Sequence, residues 1–143
     1  MECPKAKISD ERIIAVLMFH FVPIRFNKKP RNIISSTKKI YEKSKIKNSL
    51  KTQFFFNTKS KAKLINFLKN ESNDLEKTTI KFYPKVRSII NFIKSQNGCY
   101  FSRITGSGSA CIGIFSNMKS AVFAQKFAKL KFPNYWCVVS KTI

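Results

Sequence analysis

The sequence predicts an α+β fold, an antiparallel sheet with helices packed on one face. Three observations predict it. Strand-like apolar runs and helical periodicities follow one another in the order strand, helices, strand, strand, helix, strand. Two of the runs, Cys99 to Ile104 and Ala110 to Phe115, flank the loop Thr105-Gly106-Ser107-Gly108-Ser109 and so make a β-loop-β unit. Just before them, Val86, Ile89, Ile90 and Ile93 fall on one helical face. At 143 residues the chain suits one domain with a real core.

The elements follow in order. Ile13 to Phe19 reads as a strand, and Ser35, Ser36 and Thr37 supply the hydroxyl cap of a short helix through Lys43. From Lys59 to Lys69, the residues Ala62, Leu64, Ile65, Phe67 and Leu68 give a partly amphipathic helix. Ser72 or Asn73 caps the next one, with Asp74 and Glu76 complementing the dipole of its first turn. Pro84 breaks that helix and starts another, which Asn97-Gly98 ends. After the β-loop-β unit, Asn117 caps a helix from Met118 to about Leu130, and its apolar stripe is expected at Val122, Phe123, Phe127 and Leu130. Phe132-Pro133-Asn134 stops it, and Tyr135 to Val139 makes the last strand. Such an order suits the sandwich of ferredoxin-like domains.

Composition excludes several classes. No stretch approaches the roughly 18 apolar residues of a membrane helix, and no secretory leader pattern opens the chain, so no membrane partner and a cytoplasmic location are expected. Cys3, Cys99, Cys111 and Cys137 form no C-x-x-C pair, and His20 cannot complete a zinc site with them, so no metal ligand is assigned. Cys99, Cys111 and Cys137 are expected in the core. The net charge of +21 would suit a nucleic-acid or other polyanion binder. However, the lysines are scattered and accompanied by abundant Asn, Ile and Phe, as codon bias in an A/T-rich genome produces. The alternative of a basic RNA-binding module also lacks an aromatic RNP-like strand or a helix-turn-helix, and nucleic acid is not the expected partner.

All four glycines lie between Gly98 and Gly113. Glycines beside hydroxyl residues let backbone amides converge on an anion and let a substrate approach closely; a plain hairpin turn is the competing reading. The run Arg103-Ile-Thr-Gly-Ser-Gly-Ser-Ala-Cys-Ile-Gly-Ile-Phe115 resembles the third conserved motif of the GHMP kinases. Its form is that of the branch acting on a cytidine-diphosphate-linked methylerythritol in non-mevalonate isoprenoid synthesis. Upstream, Ser72-Asn73-Asp74-Leu75-Glu76 followed by Tyr83-Pro84 resembles the same branch, and Ile34-Ser35-Ser36-Thr37 with Ile40-Tyr41 resembles the opening of the family's C-terminal domain.

The resemblance implies transfer of the γ-phosphoryl of ATP, with magnesium, to the 2-hydroxyl of that methylerythritol nucleotide. It also implies a division into residues 1–58, a divergent segment with a strand and a short helix, and residues 59–143, the core of a GHMP kinase C-terminal domain. In the family the phosphate loop, a lysine and an aspartate come from an N-terminal domain. No glycine precedes Gly98, so that loop has no counterpart here and no catalytic residue is nominated. Thr105, Gly106, Ser107, Gly108 and Ser109 carry over as the substrate and phosphate-cleft loop. The expectation is a truncated or split kinase, inactive alone, whose partner is a separately encoded N-terminal half; a folded remnant without a ligand is a further alternative. Replacing Gly106 or Gly108 with Val is expected to leave the fold largely intact while abolishing reconstituted activity.

Overall fold

A computed structural model describes residues 15–23, 37–44, 60–108 and 110–141. The proposed cap residues Ser35 and Ser36, together with Cys3 and Ser109, lie outside the described residues. Four strands and five helices are described: β1 (Ala15–Pro23), α1 (Thr37–Lys43), α2 (Lys61–Asn70), α3 (Glu76–Phe82), α4 (Pro84–Lys94), β2 (Cys99–Thr105), β3 (Ala110–Phe115), α5 (Met118–Lys131) and β4 (Tyr135–Lys141). None of the described helices is long and apolar enough to cross a membrane.

The strands form one sheet in the order β2-β3-β1-β4, each neighbouring pair antiparallel. Each crossover therefore joins two parallel strands with one antiparallel strand between them, β3 inside the first and β1 inside the second. This is the split arrangement of the ferredoxin-like fold. β1 comes from the part of the chain that the sequence set apart, yet it is an inner strand, with Leu17 opposite Gly113 on one side and Val139 on the other. That inner place is the one that a ferredoxin-like order gives to the first strand.

The main core lies between one sheet face and helices α4 and α5. Val86, Ile89, Ile90 and Ile93 are all buried there, as their spacing predicts, against Leu17, Ile104, Cys111 and Phe115. Each such side chain contributes about 1.5–3 kcal/mol when fully buried. Pro84 occupies the first turn of α4, where its missing amide costs nothing. The helix lies close to the sheet: a Cβ on Gly113 would stand 2.2 Å from Ile93 Cγ2. The three cysteines expected inside are free thiols of this core, Cys111 and Cys137 buried and Cys99 half-buried.

Two expectations are corrected. The stripe Val122, Phe123, Phe127 and Leu130 of α5 faces outward, Leu130 being 79% exposed and Phe123 60%. The buried face is Ala121, Ala124 and Ala128, small residues that let the helix sit close to β1 and β4. Nor do all helices share one face. β2 residues Phe101 and Arg103 stand opposite Ile114 and Ile112 of β3, on the sheet face turned away from the main core. There α2 covers them: Ile65 and Leu68 pack on Phe101 and Ile114 in a second, smaller cluster. The Arg103 guanidinium stacks over the Phe101 ring at 4.5 Å and donates to the carbonyl of Leu68, pinning α2 in place.

Candidate functional site

The glycine loop leaves β2 at Thr105 and turns at once, the Gly108 amide donating to the Thr105 carbonyl at 3.0 Å. Gly106 takes φ 51° and is exposed, and nothing lies within 4 Å of where a side-chain carbon would stand. Gly108 takes φ 93° but is buried, and its missing Cβ would sit 2.3 Å from Thr79 Cγ2. Both need glycine for their left-handed backbone; only Gly108 needs it for space as well. Ser107 between them is 7% exposed.

Helix α3 and the turn that enters it hold this loop. Asn73 Nδ2 donates to the carbonyls of Ile104 at 3.3 Å and Gly106 at 2.9 Å, while its Oδ1 accepts from the Leu75 amide at 3.0 Å. One carboxamide thus closes the turn that enters α3 and fastens the loop. Glu76 Oε2 accepts from the Ile104 amide at 3.1 Å. Thr79, at 0% exposure, donates its hydroxyl to the Ser107 carbonyl at 3.1 Å. From the other side, Thr37 of α1 shares a hydroxyl contact of 3.1 Å with Ser107 Oγ. Burial lowers the pKa of the nearby Arg103 guanidinium, with Glu76 and Glu71 acting in the opposite sense.

Chemically, the described part of the loop carries hydroxyls and backbone amides, of which the Ser107 hydroxyl is engaged with Thr37 and the Gly108 amide with the Thr105 carbonyl. These are neutral donors suited to oxyanions, as in other backbone nests. They can orient a phosphate or an acceptor but do not supply a strong base.

Residues 56–134 match the family described as GHMP kinases C terminal, which is more than half of the chain. The chain belongs to the GHMP kinase C-terminal family. It is similar to the 4-diphosphocytidyl-2-C-methyl-D-erythritol kinase of Pelagibacter ubique (strain HTCC1062), with 39% identity over 114 residues, 78% of this chain and 39% of that protein. The kinase of the same name from Wolbachia pipientis wMel is 33% identical over 108 residues, 76% of this chain and 37% of that protein. One from Anaplasma phagocytophilum (strain HZ) is 30% identical over 79 residues, 55% of this chain and 27% of that protein. The chain thus spans about two fifths of the length of the first two relatives. Relatives that carry a kinase name do not favour the polyanion-binding alternative.

Within this GHMP kinase C-terminal domain, Thr105, Gly106, Ser107 and Gly108 lie together at the end of β2, while Ser109 lies outside the described residues. The expectation that Gly108→Val spares the fold is corrected: the Thr79 side chain already fills the space a valine would need. Asn73 and Glu76 were read as a cap and a dipole partner, and Thr79 and Thr37 were not singled out for the loop. The available signal was spacing. Positions 73, 76 and 79 repeat every three residues, which brings them to one side of a helix and its entry turn. Helix α3 itself begins at Glu76, later than expected, because residues 73–76 form a turn closed by Glu76 N to Asn73 O at 2.9 Å.

Burial pushes the core thiols up, Cys99 to about 11 and Cys111 and Cys137 to about 12, so all three remain protonated near neutrality. They pack rather than react, as expected of thiols in apolar surroundings. Among the described residues no three His, Cys, Asp or Glu side chains gather where they could hold a metal ion.

Proposed function

We propose that this chain supplies the C-terminal-domain wall of the substrate cleft in a kinase that phosphorylates the 2-hydroxyl of 4-diphosphocytidyl-2-C-methyl-D-erythritol with ATP. Thr105, Gly106, Ser107 and Gly108, continued by Ser109, are the cleft loop. One observation carries the assignment within the domain: the Thr105 carbonyl is taken by the Gly108 amide at 3.0 Å, so the trans peptide turns the Gly106 amide outward at an exposed, open position. A phosphate oxygen can approach there because no side chain stands in the way.

The donors of the loop fit phosphate oxygens of ATP or of the diphosphate substrate. Magnesium asks for carboxylate and water oxygens in octahedral array, which this loop does not offer. Its ligands are left to the ATP-binding portion. That portion also brings the base and the phosphate loop, either as further sequence or as a separate chain. Catalysis in such kinases rests on positioning and charge stabilisation, and the role of this chain is positioning.

The test is a titration of the purified chain with 4-diphosphocytidyl-2-C-methyl-D-erythritol at about 150 mM salt, where surface charge is screened beyond roughly 8 Å. Backbone amide shifts confined to residues 105–108 and their neighbours are expected, with no phosphoryl transfer when ATP is added to the chain alone. Shifts spread over the lysine-rich surface, matched by single-stranded RNA, would return the polyanion reading.

A further inference from the structure

The side of α5 turned away from the core is apolar and basic at once. Phe123, Phe127 and Leu130, spaced as successive turns of one helical face, stand 60%, 45% and 79% exposed. The two phenyl rings meet edge to face with centroids 4.9 Å apart, which holds the aromatic part of this stripe in one arrangement. Lys119 and Lys126, also exposed, border it. No Asp or Glu follows Glu76 in the sequence, so neither α4 nor α5 carries an acid to offset these lysines.

At the N-terminal end of the stripe Phe123 borders a hollow of about 260 Å³, shared with Gln96, Asn97, Lys119, Ser120 and Ala124. Small-molecule sites run from roughly 300 to 1,000 Å³, so this hollow suits one inserted side chain rather than a whole ligand. Its lining joins an ammonium group, two carboxamides and a hydroxyl to an aromatic ring and a methyl. A carboxylate on a short apolar stem, as in Glu, satisfies both kinds of surface.

We propose that the outward face of α5 docks an acidic amphipathic helix of another protein. The partner's apolar residues lie on Phe123, Phe127 and Leu130, its flanking carboxylates meet Lys119 and Lys126, and one Glu enters the hollow. This is helix docking read through anchors at i, i+4 and i+7. A second copy of this chain would set lysines against lysines if the same face met itself, and a lipid surface would not reach into the hollow. From Phe123 to Leu130 the stripe runs about 10 Å, so it engages some two turns of the partner, a contact at the small, transient end of interfaces. Gln96 and Asn97 precede β2 whereas the glycine loop follows it, which puts the hollow and the loop at opposite ends of a strand of 7 residues, roughly 20 Å apart. A docked helix leaves the loop open, and the inference does not depend on the cleft reading.

The probe is a stapled synthetic helix of about four turns, with Leu at i, i+4 and i+7 and Glu on both flanks, titrated into the full chain at about 150 mM salt. Backbone amide shifts over α5 and at Gln96 and Asn97 are expected, with residues 105–108 unmoved. Phe123→Ser should weaken binding at least about 10-fold, as loss of a central aromatic anchor does. Lys119→Gln should weaken it about 3-fold, the scale of an exposed ion pair, while Lys141→Gln on β4 leaves it unchanged. All three positions are exposed, and unchanged denaturant midpoints will show that the fold is kept.

The proposal fails if the same helix with Lys in place of Glu binds as well, if Lys141→Gln costs as much as Lys119→Gln, or if no shifts arise with about 1 mM probe. It fails too if sedimentation shows a concentration-dependent dimer that Phe123→Ser abolishes, since the occupant is then a second copy. Binding to vesicles of equal phosphatidylglycerol and phosphatidylcholine that needs Phe123, without binding of the acidic helix, would assign the face to lipid and overturn it likewise.

Discussion

Substituting alanine at Gly106 and at Gly108 should have very different costs, although both glycines sit in the same turn with positive φ. At Gly106 the left-handed backbone costs about 1–2 kcal/mol with a Cβ present, partly offset by about 0.4–1 kcal/mol from a less free unfolded chain. Nothing else is touched within 4 Å, so the net loss is about 1 kcal/mol. Gly108→Ala carries the same backbone cost and places its Cβ 2.3 Å from Thr79 Cγ2. Relieving that overlap costs roughly 1–3 kcal/mol. Pushing Thr79 back also strips the buried Ser107 carbonyl of its hydroxyl donor, for about 1–3 kcal/mol more. The sum is about 3–7 kcal/mol, a large part of the roughly 5–15 kcal/mol that ordinary domains possess. Urea unfolding followed by far-ultraviolet circular dichroism, with a shared slope, measures both. Equal losses for the two variants, within about 1 kcal/mol, would refute the tight fit of Thr79 against Gly108.

The outward stripe of α5 makes a second contrast. Leu130→Ser should change stability by less than about 0.5 kcal/mol, while Ala124→Leu on the buried face should cost about 1–3 kcal/mol, both measurable by the same unfolding curves. The thiols give a pH signature. Because Cys111 and Cys137 are raised from 9.0 to about 12 in the fold, unfolded chains release these protons first. Stability therefore falls as pH rises from about 9 toward 12, and a Cys111→Ala variant should show a shallower decline in denaturant midpoint over that range. Below pH 9 the two profiles should run parallel. Alkylation of Cys111 by iodoacetamide at pH 8 should proceed at the rate of global or local opening, far slower than in denaturant.

What the sequence revealed depended on whether the signal was local. The start of α4 was legible because Pro84 marks its first turn, and its buried face because four β-branched residues keep one period, whereas the helix ends at Lys94, before Asn97-Gly98. The β-loop-β unit was legible because glycines cluster between two apolar runs, and the start of α5 because Asn117 caps it, accepting from the Ser120 amide at 2.9 Å. The buried face of α5 was misread because side-chain size was taken as the cue. Alanines at 121, 124 and 128 carry the correct spacing, and their smallness is what lets the helix lie close to the sheet. Periodicity gives a helix an apolar face without saying which side of a sheet it meets, so the place of α2 under Phe101 and Ile114 was hidden. The bonds of Asn73, Glu76 and Thr79 to the loop span about 28 to 33 positions. Each residue had a sufficient local explanation, and only the fold brings the two motifs together.

The most direct measurement is phosphoryl transfer from ATP to 4-diphosphocytidyl-2-C-methyl-D-erythritol by a chimera in which this chain replaces the matching region of the Pelagibacter ubique kinase, the relative it resembles at 39% identity. The account predicts activity in the chimera, none in this chain alone, and a loss of at least about 100-fold in kcat/KM, some 2.7 kcal/mol, when Gly106→Val fills the open side of the loop in a chimera that still folds. A folded chimera that works equally well with valine at position 106 would contradict the placement of the glycine loop at the substrate.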